Sequence, residues 1–235
     1  MIQQIEVRHN AVTRRDELIF RGERASLSST EIAHLYFDAV KSHGVRRGYI
    51  RGENPEVANL LRHEDQGFLP ASEVHDYEQP WPGPNISQDV GEFRLATPSD
   101  SPLIEQIICA SYGDRSEAPV PRDWIEQDMF NPSDWFNVFV AEHDQEVGFG
   151  SAIHAGDIGE INWVCVRPEA QGHGQGRRLM RILLKELQTR QHAKLQLTVE
   201  ADNDHAIRLY ERFGFQNSGR RSINVKYGSA RYVPG

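Results

Sequence analysis

The spacing of apolar residues in the second half of the chain predicts a mixture of strands and helices. Apolar and polar residues alternate, as in strands, in six segments: 92–96, 137–142, 146–155, 160–166, 194–200 and 222–227. Apolar residues recur at helical spacing at 176–190 and 204–213, and another helix is predicted after the capping residues of 97–100. The aromatic-rich segment 124–136 predicts an irregular helical region. Because the helix at 176–190 connects two strands, we expect those strands to lie side by side.

The first half carries a weaker copy of part of this pattern. The segment from Tyr49 to Gly67 parallels the segment from Leu197 to Gly214 in the order of its apolar and turn residues. An apolar helical segment precedes each copy. The interval from the asparagine to the glycine is 13 positions in the first copy and 11 in the second. The shared order favours a decayed internal repeat over a chance match.

Residues 79–91 interrupt the pattern. Their sequence, QPWPGPNISQDVG, contains three prolines and two glycines, which oppose both helix and strand. We therefore predict a linker at 79–91, which separates a first domain, residues 1–78, from a second domain, residues 92–235.

Composition narrows the class of protein. Apolar residues make up 38% and charged residues 26% of the chain, as in ordinary globular proteins. No stretch reaches the roughly 20 apolar residues of a membrane span, and the first residues lack the apolar core of a signal peptide. The cysteines, Cys109 and Cys165, have neither the number nor the spacing of a zinc site. We expect a cytoplasmic protein with reduced thiols and no metal.

The formal net charge of −8 argues against a nucleic acid as partner, because nucleic-acid-binding proteins carry a basic face. An acidic protein suits a cationic acceptor such as an amine. Acidity also serves solubility alone, so the charge does not choose a substrate.

A glycine-rich turn, Gln171–Arg177, stands between a predicted strand and a predicted amphipathic helix. The free N–H groups and the positive dipole end of a helix N-terminus bind phosphate oxygens, and glycine lets the backbone approach a bulky anion. Arg177, Arg178 and Arg181 add positive charge to the first helical turns. The pattern predicts a phosphate site, and a glycine-rich turn without a ligand is the alternative.

Two other phosphate motifs do not fit this turn. A P-loop has lysine followed by serine or threonine after its last glycine, whereas Arg177 and Arg178 stand here. The dinucleotide fingerprint has the spacing G-x-G-x-x-G, whereas these glycines are at 172, 174 and 176.

The turn belongs to a longer signature. Val166-Arg167-Pro168 precedes it, and N-x-x-A-x-x-L-Y-x-x-x-G-F follows the next strand, from Asn203 to Phe215. Together these pieces resemble the GNAT superfamily of N-acyltransferases, over about residues 92–235. The copy at 29–70 lacks the glycine turn and has Leu61 in place of the tyrosine. The pair resembles the tandem GNAT proteins, of which mycothiol synthase is one.

The resemblance implies an α/β fold of the α+β mixed-sheet type. A central mixed sheet is flanked by helices and splayed at the acetyl-CoA site, and a degenerate, partial GNAT-like domain at 1–78 precedes it, supporting the structure or shaping the acceptor cleft. It also implies acetyl-CoA as co-substrate, one per chain, and a small-molecule primary amine as acceptor. Direct attack in a ternary complex is the expected reaction. The protein would be a monomer or a homodimer.

The resemblance also assigns roles to residues. Tyr210 matches the position whose hydroxyl protonates the leaving thiolate, and Glu160 matches the general base of the histone-type members. A core tyrosine with a bonded hydroxyl and a solvated strand-end carboxylate are the alternatives. On a regular strand, Glu160 would share one face with Asn162, Val164 and Val166. The residues expected to bind the coenzyme are Val164, Cys165, Val166, Gln171, Gly172, His173, Gly174, Gln175, Gly176, Arg177 and Asn203.

Several assignments stay open. His154 and Asp157 are reserve bases, Asn203 caps the last helix or bonds the pantetheine arm, and Cys165 is a small strand residue rather than a nucleophile. An acceptor pocket or ordinary core is expected from a set of aromatic, methionine and acidic residues: 112, 114, 123, 124, 128, 129, 135 and 136. A non-catalytic coenzyme-A-binding regulatory module and an acyltransferase for longer acyl-CoA are the alternative functions.

Overall fold

The computed structural model describes residues 5–10, 15–20, 27–45, 47–51, 55–61, 68–86, 90–112, 122, 125–130 and 134–227. Contacts divide the chain into two compact units. The first comprises Met1–Asp76, Glu200–Asp202 and Gly219–Arg231, and the second comprises Tyr77–Val199, Asn203–Ser218 and Tyr232–Gly235. Each unit is described by itself.

The first unit is a sheet with two helices. Its elements are β1 (Ile5–Asn10), β2 (Arg15–Phe20), α1 (Ser29–His43), β3 (Arg47–Arg51), α2 (Pro55–Leu61), most of β4 (Phe68–Pro80) and the end of β10 (Gln216–Tyr227). β1 pairs antiparallel with β2, β2 pairs parallel with β3, and β3 pairs antiparallel with β10. A capping box between Ser28 and Glu31 begins α1, and the left-handed Gly44 ends it.

The second unit carries the remaining elements. They are β5 (Arg94–Leu95), α3 (Ser101–Tyr112), β6 (Trp135–Glu142), β7 (Gln145–Ala155), β8 (Ile158–Val166), α4 (Gln175–Leu187), β9 (Lys194–Glu200) and α5 (Asp204–Arg212). The strand order is β4-β9-β8-β7-β6-β5. The neighbours from β5 to β8 are antiparallel, whereas β8 and β9 are parallel. This confirms the prediction of a mixed sheet and of adjacent strands on either side of a helix.

Helices cover both faces of this sheet. The leucines of α4 form one core cluster with β7, β8 and β9, and the isoleucines of α3 form another with Phe139, Phe149 and Cys165. Glycines in β7 allow α4 to pack closely, since a Cβ on Gly150 would lie 3.1 Å from Leu179. Among the described residues, every helix is too short or too polar to cross a membrane.

Most element predictions are close to the structure. The strand at 194–200 is confirmed, and the hairpin turn at His143 and Asp144 has φ values of 51° and 62°. The predicted strand at 92–96 shortens to two residues, and β10 begins six residues before the predicted 222. A π-helical turn, Ile125–Met129, replaces the longer helical region predicted at 124–136, because β6 already begins at Trp135.

The first half holds strands that the sequence pattern did not predict. β1, β2 and β4 are examples, and β4 continues to Pro80, into the segment predicted as a linker. After β4 the chain turns through a cis Trp81–Pro82 bond. The division into 1–78, 79–91 and 92–235 stays a prediction.

A helix–strand–helix–strand order occurs twice along the chain. The first series is α1-β3-α2-β4 and the second is α4-β9-α5-β10. In the strand order, β10 lies beside β3 and β4 lies beside β9.

Candidate active site

The two parallel strands of the second unit separate partway along their length. β8 and β9 pair from Ile158 with Lys194 to Ile161 with Leu197, and no pair follows. β8 nevertheless continues to Val166, and β9 continues to Glu200. The sheet is therefore open beside the last five residues of β8. The splayed centre predicted for the fold is confirmed.

A β-bulge marks the point of separation. Ala152 of β7 faces Ile161, but the preceding Ser151 faces Trp163, so Asn162 is an extra residue in β8. A bulge of this kind changes the alternation of faces along the strand. Ile161, Val164 and Val166 lie with the α4 core, whereas Trp163 and Cys165 lie with the α3 core.

The bulge corrects one expectation about Glu160. Since Ile161 lies on the α4 side, the adjacent Glu160 lies on the α3 side of the sheet. The prediction that Glu160 shares a face with Val164 and Val166 is wrong, because it assumed an unbroken alternation. Glu160 instead lies on the same side of the sheet as Trp163 and Cys165.

Glu160 is buried, with 5% of its surface exposed. Its Oε2 accepts a hydrogen bond of 3.1 Å from Nε2 of Gln196, the residue opposite it on β9. It is therefore not a solvated strand-end carboxylate. It lies at the narrow end of the opening, one residue before the last strand pair.

The glycine turn has the backbone that its sequence predicts. Gly172 and Gly174 have φ values of 82° and 85°, in the left-handed region that other residues avoid. Gly174 caps α4 without any side-chain cap, and a Cβ on either glycine would meet no atom within 4 Å. The helix N-terminus is thus open to a ligand. Gly176 has a different role, since a Cβ there would lie 3.3 Å from the side chain of Leu209 of α5.

A side chain ties the turn to the end of β8. Nε2 of Gln171 donates a hydrogen bond of 3.0 Å to the carbonyl of Val166. The turn and the open edge of β8 are therefore one connected surface, with the turn at the wide end of the opening.

The cations near the turn serve different purposes. Arg177 is exposed at the first turn of α4. Arg178 instead donates to the backbone carbonyls of Ala141 and Glu92 and so braces the structure. His173 is exposed and lies 3.7 Å from Glu142, measured from Nδ1 to Oε1. Arg177 is the better candidate for a phosphate contact.

Tyr210 is buried in α5, with 8% of its surface exposed. Burial raises the pKa of its hydroxyl well above the ordinary value, and the nearby Cys165 thiol adds to the rise. In the part of the chain that the structure describes, this hydroxyl makes no hydrogen bond. Tyr210 is therefore not a core tyrosine with a bonded hydroxyl, which was the alternative to a catalytic role. Because its pKa is raised, the hydroxyl is protonated at neutral pH.

Cys165 has the properties of a structural residue. Burial raises the pKa of its thiol to about 12, although a hydrogen bond with Ser111 of α3 opposes the rise. A thiol with so high a pKa is a poor nucleophile. Its neighbour Val164 is partly exposed and Val166 is buried, and the backbone of these three residues forms the open edge of β8.

Asn203 caps α5, since its Oδ1 accepts a hydrogen bond of 3.2 Å from the N–H of Ala206. Asn203 therefore has the capping role, one of the two roles expected for it from the sequence.

The reserve bases lie at the closed end of the strands. His154 faces Gly159, near the hairpin between β7 and β8, and Asp157 is exposed in that hairpin. Nδ1 of His154 lies 3.0 Å from Nε2 of His192, and its Nε2 lies 3.4 Å from Glu186. Burial lowers the pKa of His154. Both residues are remote from the open edge.

The aromatic residues proposed for an acceptor pocket are partly core. Met129 is fully buried, the Tyr112 ring lies edge-on to Trp163 at 6.0 Å, and Phe136 packs against Phe93. The residues at 114, 123 and 124, and the side chain at 128, lie outside the described part of the chain. Among the described residues, no three His, Cys, Asp or Glu side chains are grouped to hold a metal.

Two polar residues at the opening were given no role from the sequence. Gln196 contacts Glu160, and Asn162 forms the bulge. The alternation in the segment KLQLTVE already predicts that Gln196 lies on a polar face of its strand. This pattern could have identified Gln196 from the sequence. The bulge at Asn162 has no local sequence signal, because it depends on the register with β7.

The comparisons with known proteins agree with this geometry. Residues 102–215 match the sequence model of the acetyltransferase (GNAT) family. The chain is 33% identical over 160 residues to a mycothiol acetyltransferase of Rhodococcus jostii, and 38% identical over 103 residues to one of Saccharopolyspora erythraea. These alignments cover 62% and 43% of this chain but only 50% and 33% of the relatives. The chain thus spans half or less of these curated relatives.

A solved structure extends the likeness in fold to nearly the whole chain. The GCN5-related N-acetyltransferase of Sphaerobacter thermophilus has a TM-score of 0.58 and 18% identity, covering 97% of this chain and 78% of that one. Residues 102–215 are therefore a GNAT acetyltransferase domain.

Proposed function

We propose that the protein is an N-acetyltransferase, which transfers the acetyl group of acetyl-CoA to a primary amine of a small molecule by direct attack. The observation that carries the proposal is the parting of β8 and β9 after Ile161 and Leu197, beside the open glycine turn that begins α4. An anion site joined to a gap between strands suits a long cofactor with phosphates at one end.

The donor would be held mainly by backbone groups. The N–H groups around Gly172–Gly176 would bind the phosphates, and Arg177 would add charge. The pantetheine arm would lie along β8, where Val164, Cys165 and Val166 have no partner on β9. Backbone N–H and C=O groups left without a strand partner are the groups that an amide-containing arm can satisfy.

Two side chains would move protons. Glu160 would take the proton from the attacking amine, directly or through water, since it lies at the narrow end of the opening. Tyr210 would give its proton to the departing thiolate. A free backbone N–H of β8 would stabilise the oxygen of the thioester carbonyl as negative charge develops there.

The first half of the chain would be a degenerate, partial GNAT-like domain. The repeated helix–strand–helix–strand order supports a tandem origin. Because 1–78 has no counterpart of the glycine turn in its sequence, we propose one coenzyme site per chain.

The acceptor and the acyl chain define the competing functions. A non-catalytic coenzyme-A-binding module would keep the turn and the opening without turnover, and a longer acyl group is the other alternative. The hydroxyl of Tyr210 favours an enzyme, because in the described structure it makes no hydrogen bond that would commit its proton to a neighbouring group. The relatives are named mycothiol acetyltransferases, which makes amino-sugar thiols the first acceptors to try.

The proposal is tested by measuring coenzyme A release from acetyl-CoA with a panel of amines. The panel contains amino-sugar thiols, aminoglycosides, polyamines and peptides with free N-termini, and octanoyl-CoA serves as the alternative donor. Turnover of any acceptor with acetyl-CoA supports the proposal. Binding of acetyl-CoA without turnover of any acceptor favours the regulatory module, and faster turnover with octanoyl-CoA favours the longer donor.

A further inference from the structure

Asn162 has a side-chain amide that nothing in the described structure uses. Both its Oδ1 and its Nδ2 are shielded from solvent, and neither has a hydrogen-bond partner in the part of the chain described. A buried amide normally has partners, because leaving them out forfeits the hydrogen bonds that water supplied. The two atoms are therefore available to form hydrogen bonds with a ligand.

The position of Asn162 restricts which part of a ligand it meets. It is the bulged residue of β8 and the first residue beyond the last β8–β9 pair. The glycine turn lies at the other end of the opening, beyond Val166, about 13 Å away at the rise of an extended strand. A coenzyme arm laid along this edge has its two amides between the phosphates and the sulfur. The narrow end is thus left for the acyl group and the amine.

The surroundings favour the amine over the acyl group. Glu160 lies two residues from Asn162, so the narrow end already holds the proposed base. An acetyl group offers a carbonyl oxygen, for which the backbone N–H groups of β8 are available, and a methyl group, which has no use for an amide. An amine offers an N–H donor for Oδ1, and an oxygen next to it offers an acceptor for Nδ2.

We propose that the side-chain amide of Asn162 binds the acceptor beside its reacting nitrogen, and that it selects amines with an oxygen two bonds from the amine-bearing carbon. Amino alcohols, amino sugars and α-amino amides share this feature. The inference rests on the proposed function, because it assigns the acceptor class of the same site. Asn162 is a specificity-determining residue that does not itself move a proton.

The test compares matched amines that differ in that oxygen. 2-Aminoethanol is paired with propylamine, and glycinamide is paired with isobutylamine. Coenzyme A release gives kcat/KM for each amine, and calorimetry gives the dissociation constant of acetyl-CoA. The variants are Asn162→Ala and the similarly sized Asn162→Leu. Ser151→Ala is the control, because its buried Oγ also lacks a partner in the described chain but belongs to β7, one strand from the opening.

We expect the wild type and Ser151→Ala to favour the oxygen-bearing member of each pair by about tenfold or more, as polar sites do. Both Asn162 variants should lose most of that preference and keep the acetyl-CoA dissociation constant within about twofold. Equal use of both members by the wild type, turnover of none of the four amines, or weaker acetyl-CoA binding with the preference retained overturns the inference. Each of these results leaves the coenzyme site standing, whereas absence of acetyl-CoA binding to the wild type overturns the proposed function itself.

Discussion

Gln196 of β9 donates a hydrogen bond of 3.1 Å to Glu160 of β8. The two residues face each other in the next-to-last pair before the strands separate. The carboxylate is therefore held at a fixed place at the narrow end of the opening. A proton acceptor held in this way needs no reorientation when the amine arrives, which favours catalysis.

Replacing the proposed base tests its role directly. Glu160→Gln should lower kcat/KM by about 10²–10⁴-fold, the usual contribution of a general base. The dissociation constant of acetyl-CoA should stay unchanged, because the coenzyme contacts lie further along β8. Gln196→Ala should give a smaller loss, since it removes one contact of the carboxylate and leaves the carboxylate in place. A Glu160→Gln enzyme with wild-type kcat/KM across the pH range would exclude Glu160 as base.

Removing the Tyr210 hydroxyl should separate activity from stability. Tyr210→Phe is expected to lower kcat by about 10²-fold or more, because the thiolate loses its acid. The melting temperature should not fall, since the hydroxyl makes no hydrogen bond in the described structure. Steady-state kinetics and thermal denaturation check the two parts. A lowered melting temperature with normal kcat would show a structural role instead.

Two glycines with similar backbones separate binding from strain. Gly174 and Gly156 have φ values of 85° and 61°, and a Cβ on either would meet no atom within 4 Å. Alanine at either position should therefore cost a similar 1–2 kcal/mol or so of backbone strain. Only Gly174→Ala should weaken acetyl-CoA binding, because Gly156 lies in the β7–β8 hairpin. Equal coenzyme affinity in both variants would contradict the assignment of the glycine turn.

Adjacent arginines offer a second matched pair. Arg177→Ala should weaken acetyl-CoA binding, most clearly at low salt, and leave the melting temperature unchanged. Arg178→Ala should lower the melting temperature, because it loses hydrogen bonds to the carbonyls of Ala141 and Glu92. Calorimetry at two salt concentrations and thermal denaturation distinguish them. The reverse result would mean that Arg178, not Arg177, meets the phosphates.

The histidine pair predicts a loss of stability in acid. Burial holds the pKa of His154 below its unfolded value of about 6.5, so the folded state binds that proton less readily than the unfolded state. The contribution of this pKa difference to the stability of the folded state is complete above pH 6.5 and is lost as the pH falls below that value. His154→Gln should reduce the fall in melting temperature between pH 7.5 and 5, whereas the exposed His205→Gln should not. Parallel curves for the wild type and His154→Gln would refute the link.

The sequence predicted the elements whose signal is local. The turn at Gln171–Arg177, the strand Lys194–Glu200 and the capping by Asn203 each depend on a few neighbouring residues, and the structure shows them as expected. The opening of the sheet was also predicted, but from the family resemblance and not from a local signal.

The features that escaped prediction depend on distant partners. The bulge at Asn162 comes from the register with β7, so the face of Glu160 was assigned wrongly. β4 and the start of β10 are polar strands whose partners come from far along the chain. A pattern of apolar residues contains no record of such pairing, because the hydrogen bonds of the backbone are the same for every side chain.

Calorimetric titration of the whole chain with acetyl-CoA tests the central claim most directly. We predict saturable binding with one acetyl-CoA per chain, and a clearly larger dissociation constant for Gly174→Ala than for Gly156→Ala. Absence of saturable binding by the folded wild-type protein, or equal affinity in the two glycine variants, would contradict the assignment of the opening beside β8 as the coenzyme site.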